Sequence, residues 1–189
     1  MIDQLNSLIL TTPRLVIRPI EDADVKLVYS IHKDEQVNRY LPYDTWRSWD
    51  DAKYWYAKVL QRRRDKEAEQ FVIVESGDLS SSATSEKKAQ TEQALIGTCI
   101  VFNHNADDQS CEIGYVLKRD YWQQGYMFEA MGQLRNSLIT RSDIDSIRAV
   151  VDVENLPSLA LLKKLDFEIS ATLNADNQQS HYLRFKAEI

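Results

Sequence analysis

The spacing of apolar residues divides the chain into short strands and amphipathic helices. Continuous or alternating apolar runs predict about seven strands, and apolar positions three or four residues apart predict about four helices. The predicted strands are Leu15–Arg18, Phe71–Glu75, Leu95–Asn103, Cys111–Leu117, Ile147–Val153, Phe167–Leu173 and Ser180–Lys186. The predicted helices are Asp22–His32, Trp49–Arg64, Gly125–Thr140 and Pro157–Leu165. This order predicts an α/β (α+β) fold over residues 1–189, a single domain with a mixed, mostly antiparallel sheet.

Local signals refine the predicted helices. Ser48 and Asn155 precede the second and fourth helices and are good N-cap residues. In the first helix the predicted core face consists of Ala23, Leu27, Val28 and Ile31. In the third helix it consists of Met127, Ala130, Met131, Leu134 and Leu138.

The segment Gly77–Gln93 contains almost no apolar residues. Such a segment cannot bury enough surface to offset the entropy of ordering it, so we expect a mobile polar insertion. A domain boundary is the alternative. However, the chain resumes as a strand directly after Gln93, which favours an extended hairpin tip.

Composition narrows the functional classes. The 189 residues carry a net charge of −6, which argues against a nucleic-acid-binding protein. No apolar run approaches the roughly 20 residues needed to cross a membrane, and the N-terminus does not resemble a signal peptide. Cys99 and Cys111 lie in apolar runs and are expected to be buried free thiols of a cytoplasmic protein. The three histidines are scattered, and their spacing predicts no metal site.

The segment Tyr115–Tyr126 has the pattern of an anion site. A strand ends, a short loop follows, and Gly125 opens a helix. The first amides of a helix lack partners within it, and together with the helix dipole they attract anions. The alternative is that the glycine only relieves crowding, because the segment has neither a Walker A lysine nor a G-x-G-x-x-G pattern.

The run W-Q-Q-G-Y-M-F-E-A, Trp122–Ala130, resembles the pyrophosphate loop Q/R-x-x-G-x-G/A of the GNAT superfamily of N-acetyltransferases. Gly125 matches the central glycine, whereas Trp122 and Met127 replace the Q/R and the second G/A. Three further segments resemble the branch that acetylates the N-terminal alanine or serine of ribosomal proteins. They are T-x-R-L-x-L-R in Leu10–Pro19, E-I-G-Y in Glu112–Leu117, and N-x-x-S…K-x-G-F in Asn155–Phe167, where Asp166 replaces the glycine.

The resemblance implies a cofactor and its position. The fourth and fifth predicted strands, Cys111–Leu117 and Ile147–Val153, would run parallel and splay apart, with the pantetheine arm of acetyl-CoA between them. Backbone amides of the loop would hold the pyrophosphate, and no metal is implied. The residues implied to contact the cofactor are Tyr115, Val116, Leu117, Trp122, Gln123, Gln124, Gly125, Tyr126, Met127, Phe128, Asn155 and Ser158.

The resemblance also implies direct attack of an amine on the thioester. A backbone amide near Val116 would polarise the carbonyl. Glu112 would act as general base through a water molecule, as the resemblance to family members with this glutamate implies; the alternative is a carboxylate on the sheet surface. The tyrosine that many members use as general acid is replaced by Leu162. Ser158 is the nearest hydroxyl, although it could serve only the helix start, and the thiolate could also leave without a dedicated acid.

The acceptor amine is the least constrained part of the hypothesis. An α-amine has a pKa of about 8, so roughly a tenth is neutral at pH 7, whereas a lysine amine at about 10.4 needs a stronger base. A water-mediated base therefore favours the N-terminal amine of a protein, such as a ribosomal protein. The alternatives are a small amine (polyamine, amino acid or drug) or a CoA-binding module without catalysis; a monomer and a homodimer both remain open.

Two clusters of side chains near the second helix have mainly structural interpretations. The aromatic residues Trp46, Trp49, Tyr54, Trp55 and Tyr56 are expected to be mostly core, with some lining the acceptor site. The run Arg62–Arg64 is expected to be the solvated end of the helix, where cations are favourable.

Overall fold

The computed structural model describes residues 2–76, 94–141, 144–175 and 178–187, so the expected insertion 77–93 lies outside the described residues. Within them a single eight-stranded sheet carries six α-helices. The strands are β1 (Leu10–Thr11), β2 (Leu15–Pro19), β3 (Ala68–Glu75), β4 (Leu95–Asn105), β5 (Ser110–Leu117), β6 (Ser146–Asp152), β7 (Glu168–Ala175) and β8 (Gln178–Lys186). The helices are α1 (Ile2–Leu5), α2 (Val25–His32), α3 (Glu35–Asn38), α4 (Trp49–Arg64), α5 (Tyr126–Arg141) and α6 (Leu156–Lys164).

The centre of the sheet contains the predicted splay. The strand order is β1-β2-β3-β4-β5-β6-β8-β7, and every described pair is antiparallel except β5 with β6. The parallel pairing begins at Ser110 with Ser146 and ends at Glu112 with Arg148. Beyond that row β5 and β6 continue without pairing to each other in the described structure, so a wedge opens between their C-terminal ends.

Both faces of the sheet carry apolar cores. The buried residues of α2 and α5 can be compared with the core faces predicted for these helices. The five predicted core residues of α5 are all buried, as expected. In the first predicted helix the prediction holds for Val28 and Ile31 but fails for Ala23 and Leu27, which are exposed, whereas Val25 and His32 are buried. The cause is the short 3-10 turn Asp22–Asp24, whose tighter winding shifts the angular phase of the helix that follows.

Polar contacts fix both ends of α4. At its start, the Ser48 hydroxyl accepts from the Asp51 amide at 3.4 Å, and the Asp51 carboxylate accepts from the Ser48 amide at 2.8 Å. Near its end, Arg63 Nε lies 3.0 Å from both carboxylate oxygens of Glu69, a residue of β3 whose side chain is fully buried. Burial raises the pKa of Glu69, while Arg63 acts to lower it. The expectation of a solvated helix end is therefore wrong for Arg63.

The two cysteines are buried free thiols, as expected. Burial raises the pKa of both, that of Cys111 to about 12, so neither thiol ionises readily at neutral pH. Within the described ranges no helix is both long and apolar enough to cross a membrane.

Candidate active site

Two cavities meet at the wedge between β5 and β6. The larger, about 850 Å³, lies on the sheet face that α4 covers, and we call it the α4 cavity. The second, about 670 Å³, extends to the start of α5, and we call it the helix-start cavity. Residues from β5, α6 and the segment after α3 line both: Tyr40, Leu41, Tyr115, Val116, Asn155 and Ser158. A ligand can therefore extend from one cavity into the other.

The residues implied to contact a cofactor gather around the helix-start cavity. All of them line it except Gln124. The Gln124 side chain instead donates to the Asp120 carbonyl at 2.7 Å, so it stabilises the loop. The implied base Glu112 lies in the α4 cavity, and the implied acid Ser158 lines both cavities. The structure thus brings the predicted groups to one continuous site.

The loop before α5 has two residues in the left-handed region. Gln123 has a φ of 60° and Gly125 a φ of 79°. Residues other than glycine are strained in this left-handed conformation. Space is not the constraint at Gly125, because an added Cβ would meet its nearest atom, on Arg14, at 3.5 Å. The helix begins at Tyr126, and its first residues line the cavity, so their amides form a candidate anion site.

Trp122 occupies the position where the family pattern has glutamine or arginine. Its indole Nε1 donates to the Leu117 carbonyl at 2.8 Å. This bond joins the loop to the end of β5, so the tryptophan has a structural contact at a position that is polar in the pattern. Met127, the second departure from the pattern, is buried in the core beneath the loop.

A carboxylate of α5 ties the loop to the first strands. Glu129 accepts from the Thr12 hydroxyl at 2.5 Å, from the Arg14 amide at 3.0 Å and from Arg14 Nε at 2.6 Å. Arg14 also donates to the Gln124 carbonyl at 3.1 Å. Burial alone would raise the pKa of Glu129, but the bonds from Thr12 and Arg14 outweigh it and lower the pKa. The T-x-R segment (Thr12–Arg14) and the G-x-x-x-E segment (Gly125–Glu129) therefore form one structural unit. Both segments can be recognised in the sequence.

Glu75, at the end of β3, supports the same loop and was not singled out from the sequence. Its carboxylate accepts from the hydroxyl of Tyr121 at 3.2 Å and from that of Tyr126 at 3.0 Å. The two rings also contact each other edge to face, 5.5 Å apart. These contacts fix the side of the loop that faces the sheet.

The hydrogen bonds of β5 determine which backbone groups face the wedge. The Lys118 amide donates to the Ile96 carbonyl at 2.8 Å, and Val116 pairs with Thr98 in β4. Backbone groups alternate sides along a strand, so the Val116 amide also points toward β4. The backbone groups of Tyr115 and Leu117 face the wedge instead. The amide expected near Val116 is thus that of a neighbour, not of Val116 itself.

Across the wedge, α6 presents Asn155 and Ser158. The Asn155 side chain accepts from the Ser158 amide at 3.3 Å and caps the helix as predicted. The Tyr115 hydroxyl donates to the Ser158 carbonyl at 3.5 Å, and burial raises the pKa of Tyr115 to about 12, so the phenol remains protonated. Leu162, at the position of the family tyrosine, is fully buried in the core.

Asp166 replaces the glycine that follows α6 in the family pattern. It has a φ of 63°, so it adopts the left-handed conformation that a glycine would supply. Its carboxylate lies 3.2 Å from Arg135 Nη1 on α5. Asp166 therefore gives the end of α6 the same backbone conformation that the glycine of the pattern would give. It does not line either cavity.

Glu112 is the last residue of β5 that pairs with β6, so it lies at the closed end of the wedge. Asn103 Nδ2 donates to its carboxylate at 3.1 Å. Sequence reasoning did not identify Asn103, because its contact depends on the pairing of β4 with β5. The bond orients a carboxylate that lines the α4 cavity.

Other lining residues were also missed or only partly anticipated. The cations Arg39 and Lys164 line the helix-start cavity together with the loop before α5. Of the aromatic cluster, Trp46, Tyr54 and Trp55 line the α4 cavity. The expectation that the cluster is mostly core is wrong, because only Trp46 is buried and Trp49 and Tyr54 are 44% and 65% exposed. Trp46 also stacks on the buried His32, with ring centroids 4.4 Å apart, and burial lowers the pKa of His32 to about 4. The imidazole is therefore neutral and forms part of the cavity's supporting core.

Comparison with known proteins identifies this architecture. Residues 14–168 match the family model described as an acetyltransferase (GNAT) domain. The uncharacterized N-acetyltransferase p20 of Bacillus licheniformis is 26% identical over 159 residues, covering 84% of this chain and 82% of p20.

Solved structures show the same fold. The RimL ribosomal L7/L12 α-N-protein acetyltransferase, solved with coenzyme A, superposes with a TM-score of 0.76 at 14% identity and covers 95% of this chain and 98% of its own. The spermidine N-acetyltransferase of Vibrio cholerae, solved with CoA and spermine, gives a TM-score of 0.74 at 16% identity, covering 93% and 96%. With the family match over most of its length, this chain belongs to the GNAT family and is an acetyl-CoA-dependent N-acetyltransferase.

Proposed function

We propose that the acceptor is the N-terminal α-amine of a polypeptide, such as a ribosomal protein. The observation that carries this proposal is the α4 cavity. Its volume of about 850 Å³ is large for a compact amine, and exposed residues of α4, such as Tyr54, line it toward solvent. A chain could enter amine first and leave along the helix. The sequence resemblance to the ribosomal-protein branch supports the same acceptor.

The cofactor would occupy the helix-start cavity and the wedge. Amides of residues 123–128 would hold the pyrophosphate, and Arg39 and Lys164 would add positive charge near the phosphates. The pantetheine arm would pair with the wedge-facing backbone of Tyr115 and Leu117. The acetyl group would then lie where the two cavities meet, beside Ser158.

In the proposed reaction the neutral amine attacks the thioester carbon directly. Glu112 takes a proton from the ammonium form through a water molecule and so supplies this neutral amine, and the wedge-facing amide next to Val116 stabilises the oxyanion. The carbon–sulfur bond then breaks as the nitrogen releases its second proton to water, and the leaving thiolate accepts a hydrogen bond from the Ser158 hydroxyl. Tyr115 holds the Ser158 carbonyl and so positions this residue.

A thiol-release assay tests the acceptor. We expect turnover with hexapeptides that begin with serine or alanine, and none when the same peptides carry an N-terminal acetyl group. Spermidine, a free amino acid and an amine drug form the small-molecule arm. Faster turnover of that arm than of any free peptide would contradict the proposal.

A polyamine is the second candidate because four carboxylates line the α4 cavity, those of Asp44, Asp51, Glu112 and Asp152. Carboxylates attract a multiply charged amine, and one structural relative is, by its name, a spermidine N-acetyltransferase. The spermidine arm of the assay decides between the two acceptors.

Gly125→Ala is expected to weaken CoA binding about tenfold, since a left-handed alanine costs about 1–2 kcal/mol and distorts the loop amides. Calorimetric titration with CoA measures this effect. Gly132→Ala is the matched control: Gly132 lies within α5, and an added Cβ would meet Leu165 at an ordinary 3.5 Å. Equal CoA affinity in the two variants would show that the conformation of Gly125 does not matter.

A further inference from the structure

Two cations on α4 face the α4 cavity, and the catalytic scheme uses neither. Lys58 and Arg62 lie one helical turn apart on the face that also carries Tyr54. The ammonium group of Lys58 lies 4.3 Å from the Tyr54 ring centroid. Among the described residues, neither cation forms an ion pair with a carboxylate.

The neighbours of Arg62 show that this orientation is specific. Arg63 turns toward the sheet and pairs with Glu69. Arg64 donates to the Gln61 side chain at 2.6 Å and does not line the α4 cavity. Of the three consecutive arginines, only Arg62 therefore lines the α4 cavity.

The pairing of β3, β4 and β5 gives the approximate distance between these cations and the proposed base Glu112. Ala68 pairs with Phe102, and Phe102 pairs with Glu112, so one row crosses β3, β4 and β5. The Glu67 amide donates to the Arg62 carbonyl at 2.9 Å, so Arg62, which lines the cavity, lies at the Ala68 end of this row. Two strand spacings amount to about 10 Å. An extended chain covers that distance in roughly three residues.

We infer that the enzyme selects polypeptide N-termini with an acidic side chain about three residues behind the reacting amine. This inference rests on the proposed function. Glu112 favours the amine at one end of the cavity, while Lys58 and Arg62 bind a carboxylate at the other. The same two cations repel a second positive charge on the acceptor.

Three hexapeptides test the inference. They share a serine N-terminus and carry glutamate, glutamine or lysine at positions three and four. We expect kcat/KM to be about tenfold higher for the glutamate peptide than for the lysine peptide, with glutamine between them. The difference should reside in KM and should shrink as salt is added, because the cations are exposed.

Variants locate the source of the preference. The double variant Lys58→Gln/Arg62→Gln should bring the ratio of kcat/KM for the glutamate peptide to that for the lysine peptide close to one, and the double variant Lys58→Glu/Arg62→Glu should invert it. Arg64→Gln removes a charge from the same turn and should keep the wild-type ratio. A circular dichroism melt confirms that each variant is folded.

The outcomes separate the two proposals. If wild type acetylates all three peptides equally, the charge preference is wrong and the peptide acceptor stands. If the ratio of kcat/KM for the glutamate peptide to that for the lysine peptide is unchanged in the Lys58→Gln/Arg62→Gln variant, other residues cause the preference. That outcome also overturns the inference. If spermidine is acetylated and no peptide is, the proposed function fails, and the inference fails with it.

Discussion

Glu112→Gln is expected to lower kcat/KM for the best acceptor about 100-fold, the usual contribution of a general base. Glutamine keeps the size of the side chain but cannot accept the amine proton. The affinity for CoA should not change, because Glu112 lines the α4 cavity and not the helix-start cavity. Steady-state kinetics and a calorimetric CoA titration together measure both effects.

The pH profile distinguishes a base from a structural carboxylate. As pH rises past about 8, more of an α-amine becomes neutral without help, so the deficit of the variant should shrink. Glu168→Gln, the same substitution at an exposed residue of β7, is the control. A loss of less than about threefold for Glu112→Gln, or a deficit constant with pH, would show that Glu112 is not the base.

Arg63→Ala is expected to reduce the free energy of unfolding by about 3–5 kcal/mol. The substitution leaves the carboxylate of Glu69 fully buried and without its cationic partner. It also removes the bond from Arg63 to the Ile20 carbonyl, at 3.2 Å. Urea denaturation measures the loss. Arg64→Ala, one residue further along α4 and exposed, should cost less than about 0.5 kcal/mol.

The loss should depend on pH in a defined direction. Burial already raises the pKa of Glu69, and removing Arg63 raises it further. The folded variant then holds the proton more tightly than the unfolded chain, so Glu69 destabilises it only where the carboxyl is ionised. The deficit should therefore shrink as pH falls from about 8 to about 5. Adding Glu69→Gln should recover at least about half of the loss, and failure to recover any would exclude a buried charge as the cause.

Much of the fold follows from local sequence. The bounds of α4 match the prediction, because Ser48 and Asp51 form a complete capping box at its start. The predicted start of α5 is one residue early, since Gly125 has a φ that no α-helix uses. The short elements α1, β1 and α3 were missed, because two to four residues are too few to show a periodicity.

The candidate site was only partly accessible from the sequence. The loop at Gly125, the wedge strands and the cap at Asn155 all lie in continuous segments with recognisable patterns, and the structure places them together. Asn103 and Arg39 lie in segments with no such pattern, and Lys164 belongs to the K-x-G-F pattern but was given no role from the sequence. Their relation to the site depends on strand pairing and on the return of α6 across the sheet.

The sequence by itself determined the order of the main strands and helices, the position of the loop and the family, because these depend on spacing between neighbours in the chain. The tertiary structure alone decided which way individual side chains point. It buries Leu162, directs Arg63 to Glu69 and leaves Arg62 facing the cavity. The physical reason is that a side chain's direction depends on helix phase and strand register, which packing between distant segments sets.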